Sequence, residues 1–170
     1  MAAQDDVGAR ILDAALELLR ARGPRAVTMQ AIVDATGIAK TTIYRRHPNR
    51  RALLAAALQT VGERPSVPAD SSRAQRWHWA IAQSVDVIER GIGAGGFAAL
   101  LTNEDPDFTG AFRSILVAYR RQAIDALDVD ERAADTVIDM IVGSYVAELA
   151  RTGSVADGWA DRVATVLSSR

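Results

Sequence analysis

The chain contains no cysteine, which excludes disulfide frameworks, cysteine-ligated zinc, iron–sulfur clusters and thiol nucleophiles and makes an intracellular setting the expectation. Histidine is nearly as scarce: His47 and His78 are the only two, and neither has acidic neighbours at metal-ligating spacing, so neither a metal nor a cofactor is expected. Long hydrophobic runs are missing too. The longest purely apolar stretch, Ala52 to Leu58, is far too short to span a bilayer, and Asp5 and Asp6 place acid where a secretory signal would carry base. A cytoplasmic protein with no membrane partner is expected. The net charge of −1 argues against a uniformly basic coat for nucleic acid. No Ser/His/Asp arrangement, framed pair of carboxylates or metal cluster stands out, which counts against an enzyme.

What is abundant is alanine, at 32 of 170 residues, while alternating β-branched runs are few, so propensity favours helix nearly throughout and predicts an all-α protein of about nine helices. Ile11, Leu12, Ala15, Leu18 and Leu19 form one apolar stripe of a first helix from about Val7 to Arg22, closed by Gly23-Pro24. Thr28 can cap a second that Gly37 ends. A short third helix, Lys40 to His47, precedes Pro48-Asn49, and a fourth opens near Arg51. The Pro-containing stretch 62–72 reads as a linker with the boundary at Pro65. Charge divides there as well: residues 1–64 carry net +4 and residues 65–170 net −5. The expected organisation is a basic domain, 1–64, that includes the linking fourth helix, and an acidic helical domain, 65–170. In the second, Ser72 caps a helix to about Arg90, Ala94 to Asn103 forms another, and Pro106 opens a long one ending near Asp128. Two more follow, Glu131 to Arg151 and Ala156 to Ser168.

Two short helices joined by a Gly-containing turn leave the third helix of the chain protruding from a small core. Ile43 is essentially its only inward residue. Lys40, Thr41, Thr42, Tyr44, Arg45 and Arg46 are left for the outside, an inventory suited to base edges and phosphates in a major groove, with Arg50 placed for a phosphate on the same strand. The alternative for Lys40 to Arg50 is a solvated charged face. The run Thr28-Met-Gln-Ala-Ile32, then Gly37-Ile-Ala-Lys-Thr-Thr-Ile-Tyr44-Arg-Arg-His-Pro-Asn-Arg50-Arg-Ala-Leu-Leu54, resembles the N-terminal DNA-binding domain of TetR-type transcriptional regulators over about residues 9–58. The resemblance implies that Lys40, Thr41, Thr42, Tyr44, Arg45 and Arg46 face the operator, with Thr28 and Gln30 at the start of the second helix and Arg50 as backbone clamp. Ala39, where the family often has Ser, removes a side-chain cap, His47 replaces an aromatic Phe or Trp, and Arg50 replaces a common Lys.

Beyond that stretch the resemblance extends only to layout, and it implies a DNA-binding domain over 1–64 and a helical ligand-binding and dimerisation domain over 65–170. Of nine aromatic residues, all but Tyr44 follow residue 76. Trp77, Ile81, Val85, Phe97, Leu101, Phe112, Leu116 and Tyr119 are candidate walls of a pocket for a hydrophobic small-molecule effector, with ordinary core packing as the alternative for each. The apolar faces of the last two helices, Ile138, Ile141, Val142, Tyr145, Trp159 and Val163, are the candidate homodimer interface, helped by the small residues Gly143, Ser144, Ala147 and Ala150. Gly91-Ile-Gly93-Ala-Gly-Gly96 spells a dinucleotide-binding pattern but lacks the strand that must precede it, and reads as a flexible loop. The function expected is a ligand-responsive regulator, a repressor by family habit, that binds a palindromic double-stranded operator as a homodimer. The alternative is a helical protein-interaction module without DNA binding.

Overall fold

The computed structural model describes residues 2–62, 67–127 and 129–168, and among these every regular element is helical. In chain order they are α1 (Ala2–Arg22), a 3-10 turn (Pro24–Ala26), α2 (Met29–Thr36), α3 (Lys40–Arg46), α4 (Arg50–Gly62), α5 (Arg73–Asp86), a π-helical turn (Val87–Ile92), α6 (Gly93–Thr102), α7 (Pro106–Leu127), α8 (Glu131–Thr152) and α9 (Trp159–Ser168). Side-chain caps set many of these starts, because the first N–H groups of a helix have no partner within it. The Thr28 hydroxyl accepts from Ala31 N at 3.1 Å, Asn49 Oδ1 from Ala52 N at 2.8 Å and Asp130 Oδ1 from Ala133 N at 3.0 Å. Ser72 and Gln75 form a reciprocal capping box at α5. Gly37 and Gly153 close α2 and α8 in the left-handed conformation, at φ 69° and 77°.

The chain packs as two compact units: residues 1–63 with 88–116, and residues 64–87 with 117–170. The boundary expected at Pro65 falls outside the described residues. A single cut there does not reproduce the packing, since residues 88–116 join the first unit. In that unit α1 packs against α2, α4 and α6, and Ile11, Leu19, Ile32, Ile43, Leu53, Leu54, Leu58, Ile92 and Phe108 are shut off from solvent. Each contributes about 1.5–3 kcal/mol relative to an exposed side chain. The second unit is centred on α5 against α9 and α8, with Trp77, Ile81, Ile141, Tyr145 and Trp159 buried.

The glycine-rich run is not the loop expected from sequence. It is helical, a π turn passing into α6, and Gly93 and Gly95 serve close approach to the end of α1 and the turn that follows it. A Cβ on Gly93 would lie 3.0 Å from Arg20 Cα, and one on Gly95 would lie 3.4 Å from Gly23 Cα. The Gly91 carbonyl accepts from Arg20 Nε at 3.3 Å. Only a residue without a side chain lets the two backbones meet here, and Gly93 also holds φ at 68°. Gly93→Ala should therefore cost about 1–3 kcal/mol of unfolding free energy, from strain plus overpacking. Gly110→Ala, in α7 where a Cβ meets nothing within 4 Å, should be neutral or stabilise by about 0.5–1 kcal/mol. Urea unfolding of both variants checks the contrast, and equal effects would refute the packing role.

Candidate nucleic-acid interface

The interface is built on α3. At about 100° per residue, positions 40, 41, 44 and 45 fall on one side of a seven-residue helix and positions 42, 43 and 46 on the other. Solvent exposure follows that division: Lys40, Thr41, Tyr44 and Arg45 are exposed, Ile43 is fully buried, and Thr42 and Arg46 are half-buried. Tyr44 is 41% exposed, and Lys40 Nζ stands 5.9 Å from its ring centroid, a cation–π pair one turn apart that fixes both side chains on the outer face. No acidic residue lies on α3, and Arg45 and Arg46 sit in its last turn, where the helix dipole favours cations. Ala39 supplies no side-chain cap, as its residue type predicts. His47 ends the helix by donating its backbone N–H to Ile43 O at 2.8 Å. Burial first, and then the charge of Arg46, lower the His47 pKa, so the ring stays neutral near pH 7 and adds no charge beside the reading face.

Thr28 and Gln30 are exposed at the start of α2, with the Thr28 hydroxyl engaged in its cap and Gln30 Nε2 donating to Asp34 Oδ1 at 2.8 Å. Two residues expected at the operator lie elsewhere. Arg46 turns back toward α1, where a Cβ on Gly8 would come within 3.3 Å of Arg46 Nη1. Its place on the inner sector of α3 is the reason. Arg50, expected as a phosphate clamp, is turned inward and committed. Its Nε donates to Val27 O at 2.7 Å, its Nη2 to Pro24 O at 2.7 Å, and its Nη1 to Asp105 Oδ1 at 3.2 Å, while Nη2 also pairs with Asp105 Oδ2. Asp107 stands 3.9 Å from Nη1.

Asp105 was not singled out from sequence. It precedes Pro106, and its Oδ1 accepts from Phe108 N at 3.1 Å, so its capping role was readable locally. Its partner, 55 residues away, was not. Burial alone would raise the Asp105 carboxyl, but hydrogen bonds from Arg50 and from Phe108 N, with the charges of Arg50 and Arg25, outweigh it and hold the pKa below the ordinary aspartate value. Arg25, also unforeseen, reaches the same turn: its Nε stands 3.1 Å from Glu104 Oε1 and its Nη2 donates to Glu104 O at 3.1 Å.

A capped helix, a left-handed glycine turn and a short helix presenting cations, hydroxyls and a phenol form a helix-turn-helix reading head. The model of the bacterial regulatory proteins, tetR family, matches residues 11–57. Those residues are a TetR-family N-terminal domain. Among curated proteins, none matches the chain. A TetR-family N-terminal domain is a DNA-binding module, so DNA binding is implied for these residues. No described helix is long and apolar enough to cross a membrane.

The remaining candidate site residues separate between the units. Of the eight candidate pocket walls, Phe97, Leu101, Phe112 and Leu116 belong to the first, where Phe112 stacks on Phe108 at 6.0 Å and Leu101 is 73% exposed, a surface position and not a wall of its unit. Trp77, Ile81, Val85 and Tyr119 belong to the second. The buried Tyr119 hydroxyl meets Ser84 Oγ at 3.2 Å and donates to Ala80 O at 3.4 Å, contacts of an internal core residue. Trp77 borders a groove of about 550 Å³ with Val137, Met140 and Leu167. The candidate dimer residues also need correction. Ile138, Ile141, Tyr145 and Trp159 are buried inside their own unit, and Val142 and Val163 are half-buried. Tyr145 meets Trp159 edge-on at 5.8 Å, and the indole N–H donates to Ser144 Oγ at 3.2 Å. The apolar side of α8 is used up by α5 and α9.

Breaking the Arg50–Asp105 pair has a pH signature. A depressed carboxyl pKa contributes stability that is complete above the unfolded value, ordinarily 3.8, and lost as pH falls through the lower folded value. Arg50→Gln should cost about 1–3 kcal/mol at neutral pH, and the gap to wild type should narrow as the pH is taken below 3.8, toward the share carried by the lost bonds to the Val27 and Pro24 carbonyls. Urea titrations at a series of pH values measure it. A gap constant with pH would mean that the charge of Asp105 contributes nothing.

Proposed function

We propose that the protein is a ligand-responsive repressor that binds a palindromic DNA operator as a homodimer in the cytoplasm and is released by a hydrophobic small molecule. The outer face of α3, with Lys40, Thr41, Tyr44 and Arg45 exposed on one side, is the observation that carries the DNA-reading part. Lys40 and Arg45 supply donors for guanine edges or phosphates, Thr41 a methyl and a hydroxyl, and Tyr44 a phenol for phosphate. Thr28 and Gln30 contact the backbone at the entry of α2. Arg50 is committed inward, so its expected phosphate contact passes to the adjacent Arg51, exposed in the first turn of α4.

For the homodimer, the support is the side of α8 that its own unit leaves open. Gly143, Ala147 and Ala150 recur there at helical spacing and are exposed, and Val166 of α9 is 56% exposed. Small residues let two helix axes approach closely, and a two-fold pair of heads would read successive major grooves. For the effector, the support is the apolar lining of the groove beside Trp77.

Binding to duplex DNA should fall by decades between low and moderate salt if several phosphates are neutralised. Failure to bind any duplex at low salt would leave the protein-interaction reading in its place. Arg51→Ala should weaken all sequences alike and lower the salt slope by roughly one, whereas Lys40→Ala should relax preference at particular base pairs by about 1–3 kcal/mol. Competition binding with a randomised duplex pool separates the two outcomes. A Cβ at Gly143 meets nothing within 4 Å, so Gly143→Arg should fold normally and yet run as a monomer on gel filtration. A dimeric Gly143→Arg would rule this face out.

A further inference from the structure

The reading helix has little with which to fix its own direction. It is seven residues long, has no side-chain cap at its start, and buries one side chain completely, Ile43. Its bearing must come from the segments at its borders. Pro24 and Val27 belong to the turn that leads directly into the Thr28 cap of α2, and Arg50 opens α4 just after α3 ends. The Arg50 guanidinium joins them, donating to the carbonyls of both Pro24 and Val27 at 2.7 Å. Two neutral carbonyls do not balance a half-buried cation; the Asp105 carboxylate does, on the face of the fork they leave free. Asp105 is itself 6% exposed and fixed by the Phe108 N–H at the start of α7. The carboxylate therefore has one position, and it dictates the plane of the guanidinium.

We propose that Asp105, remote in sequence from the helix-turn-helix and outside the matched family span, is a positioning residue for DNA reading: by orienting Arg50 it sets the entry of α2 and hence the angle at which α3 meets the bases. This rests on the DNA-binding reading above. Asp105 touches no DNA in this scheme. Its removal costs discrimination between sequences while the count of neutralised phosphates stays the same.

The test uses the full chain, a duplex that the wild-type protein selects from a randomised pool, and a scrambled duplex of equal length. Asp105→Asn keeps a side-chain oxygen for the Phe108 cap and removes the charge that orients Arg50. Expected is a fall of about tenfold in the ratio of selected to scrambled affinity, at a temperature where the variant is folded, with the salt slope unchanged. Arg50→Ala should lose a similar factor, and the double variant should be no worse than Arg50→Ala alone, because the two residues act as one link. A role in stability alone would lower the melting temperature and leave the ratio of the folded protein unmoved, which overturns the proposal. So would tighter binding of Asp105→Asn with the slope raised by about one, since Arg50 would then be a phosphate ligand held in reserve. Should Asp105→Asn not fold, Asp105→Glu keeps the charge and moves it by one methylene, and the same ratio decides. Wild-type protein that binds no duplex refutes the DNA-binding reading, before any variant is made, and this proposal with it.

Discussion

The geometry of the reading head depends on one guanidinium. Arg50 gathers two main-chain carbonyls from one turn and a carboxylate from a distant segment. Such a site is not chosen for stability alone, because taking a charged pair out of water costs about as much as the pairing returns, and an apolar trio of equal volume would often hold as well. What the ion pair adds is direction. A planar fork accepts partners only in its own plane and at fixed spacing, so each acceptor is held where oily contact would let it slide. For a head whose third helix buries a single side chain completely, orientation is worth more than adhesion.

The same unit solves a second problem with glycine. Arg20 must meet the Gly91 carbonyl, and α6 must lie against the end of α1, at a separation that leaves no room for a Cβ at Gly93. A run that spells a phosphate-binding pattern is thus used to let two backbones touch. Both uses need glycine for the same reason, the close approach of something bulky to the main chain. The pattern alone therefore identifies a close approach without identifying the visitor.

How much of this was legible in the sequence depends on range. The caps at Thr28, Ser72 and Asp130, the stop at Gly37, the start at Pro106 and the inward Ile43 all rest on interactions within a few residues, and their signals are local. The reading face was legible in composition but not in detail. Helical phase at α3 could have placed Arg46 with Ile43 on the inner sector, but its composition suggested that every basic residue faced out. Pairings such as Arg50 with Asp105, or Arg25 with Glu104, join residues whose types are common and whose separation in sequence carries no mark. The error at α8 has another cause. Ile138, Ile141 and Tyr145 form an apolar stripe that needs a partner, and periodicity states the need without saying whether α5 and α9 or a second copy meets it. The small exposed residues on the opposite side are visible in the sequence too, but nothing in their spacing separates a face of their own from support for that stripe.

The inward commitment of Arg46 and Arg50 bears on how such a head can bind at all. Residues 1–64 carry net +4, yet Arg46 and Arg50, two of the cations expected at the operator, are turned toward the protein. The exposed cations on α3 are Lys40 and Arg45, and Arg51 is exposed in the first turn of α4. Each phosphate neutralised contributes roughly 0.9 to the salt slope, so two or three contacts give a head only weak, salt-sensitive attachment. Two heads held in register double the contacts and make the second engagement intramolecular, which raises overall affinity by far more than either head supplies. A chain that invests its arginines in fixing the direction of one helix, at the expense of grip, therefore gains most from duplication. In the proposed homodimer the accuracy with which Arg50 holds that direction would count twice, because both reading helices would have to meet their grooves at once.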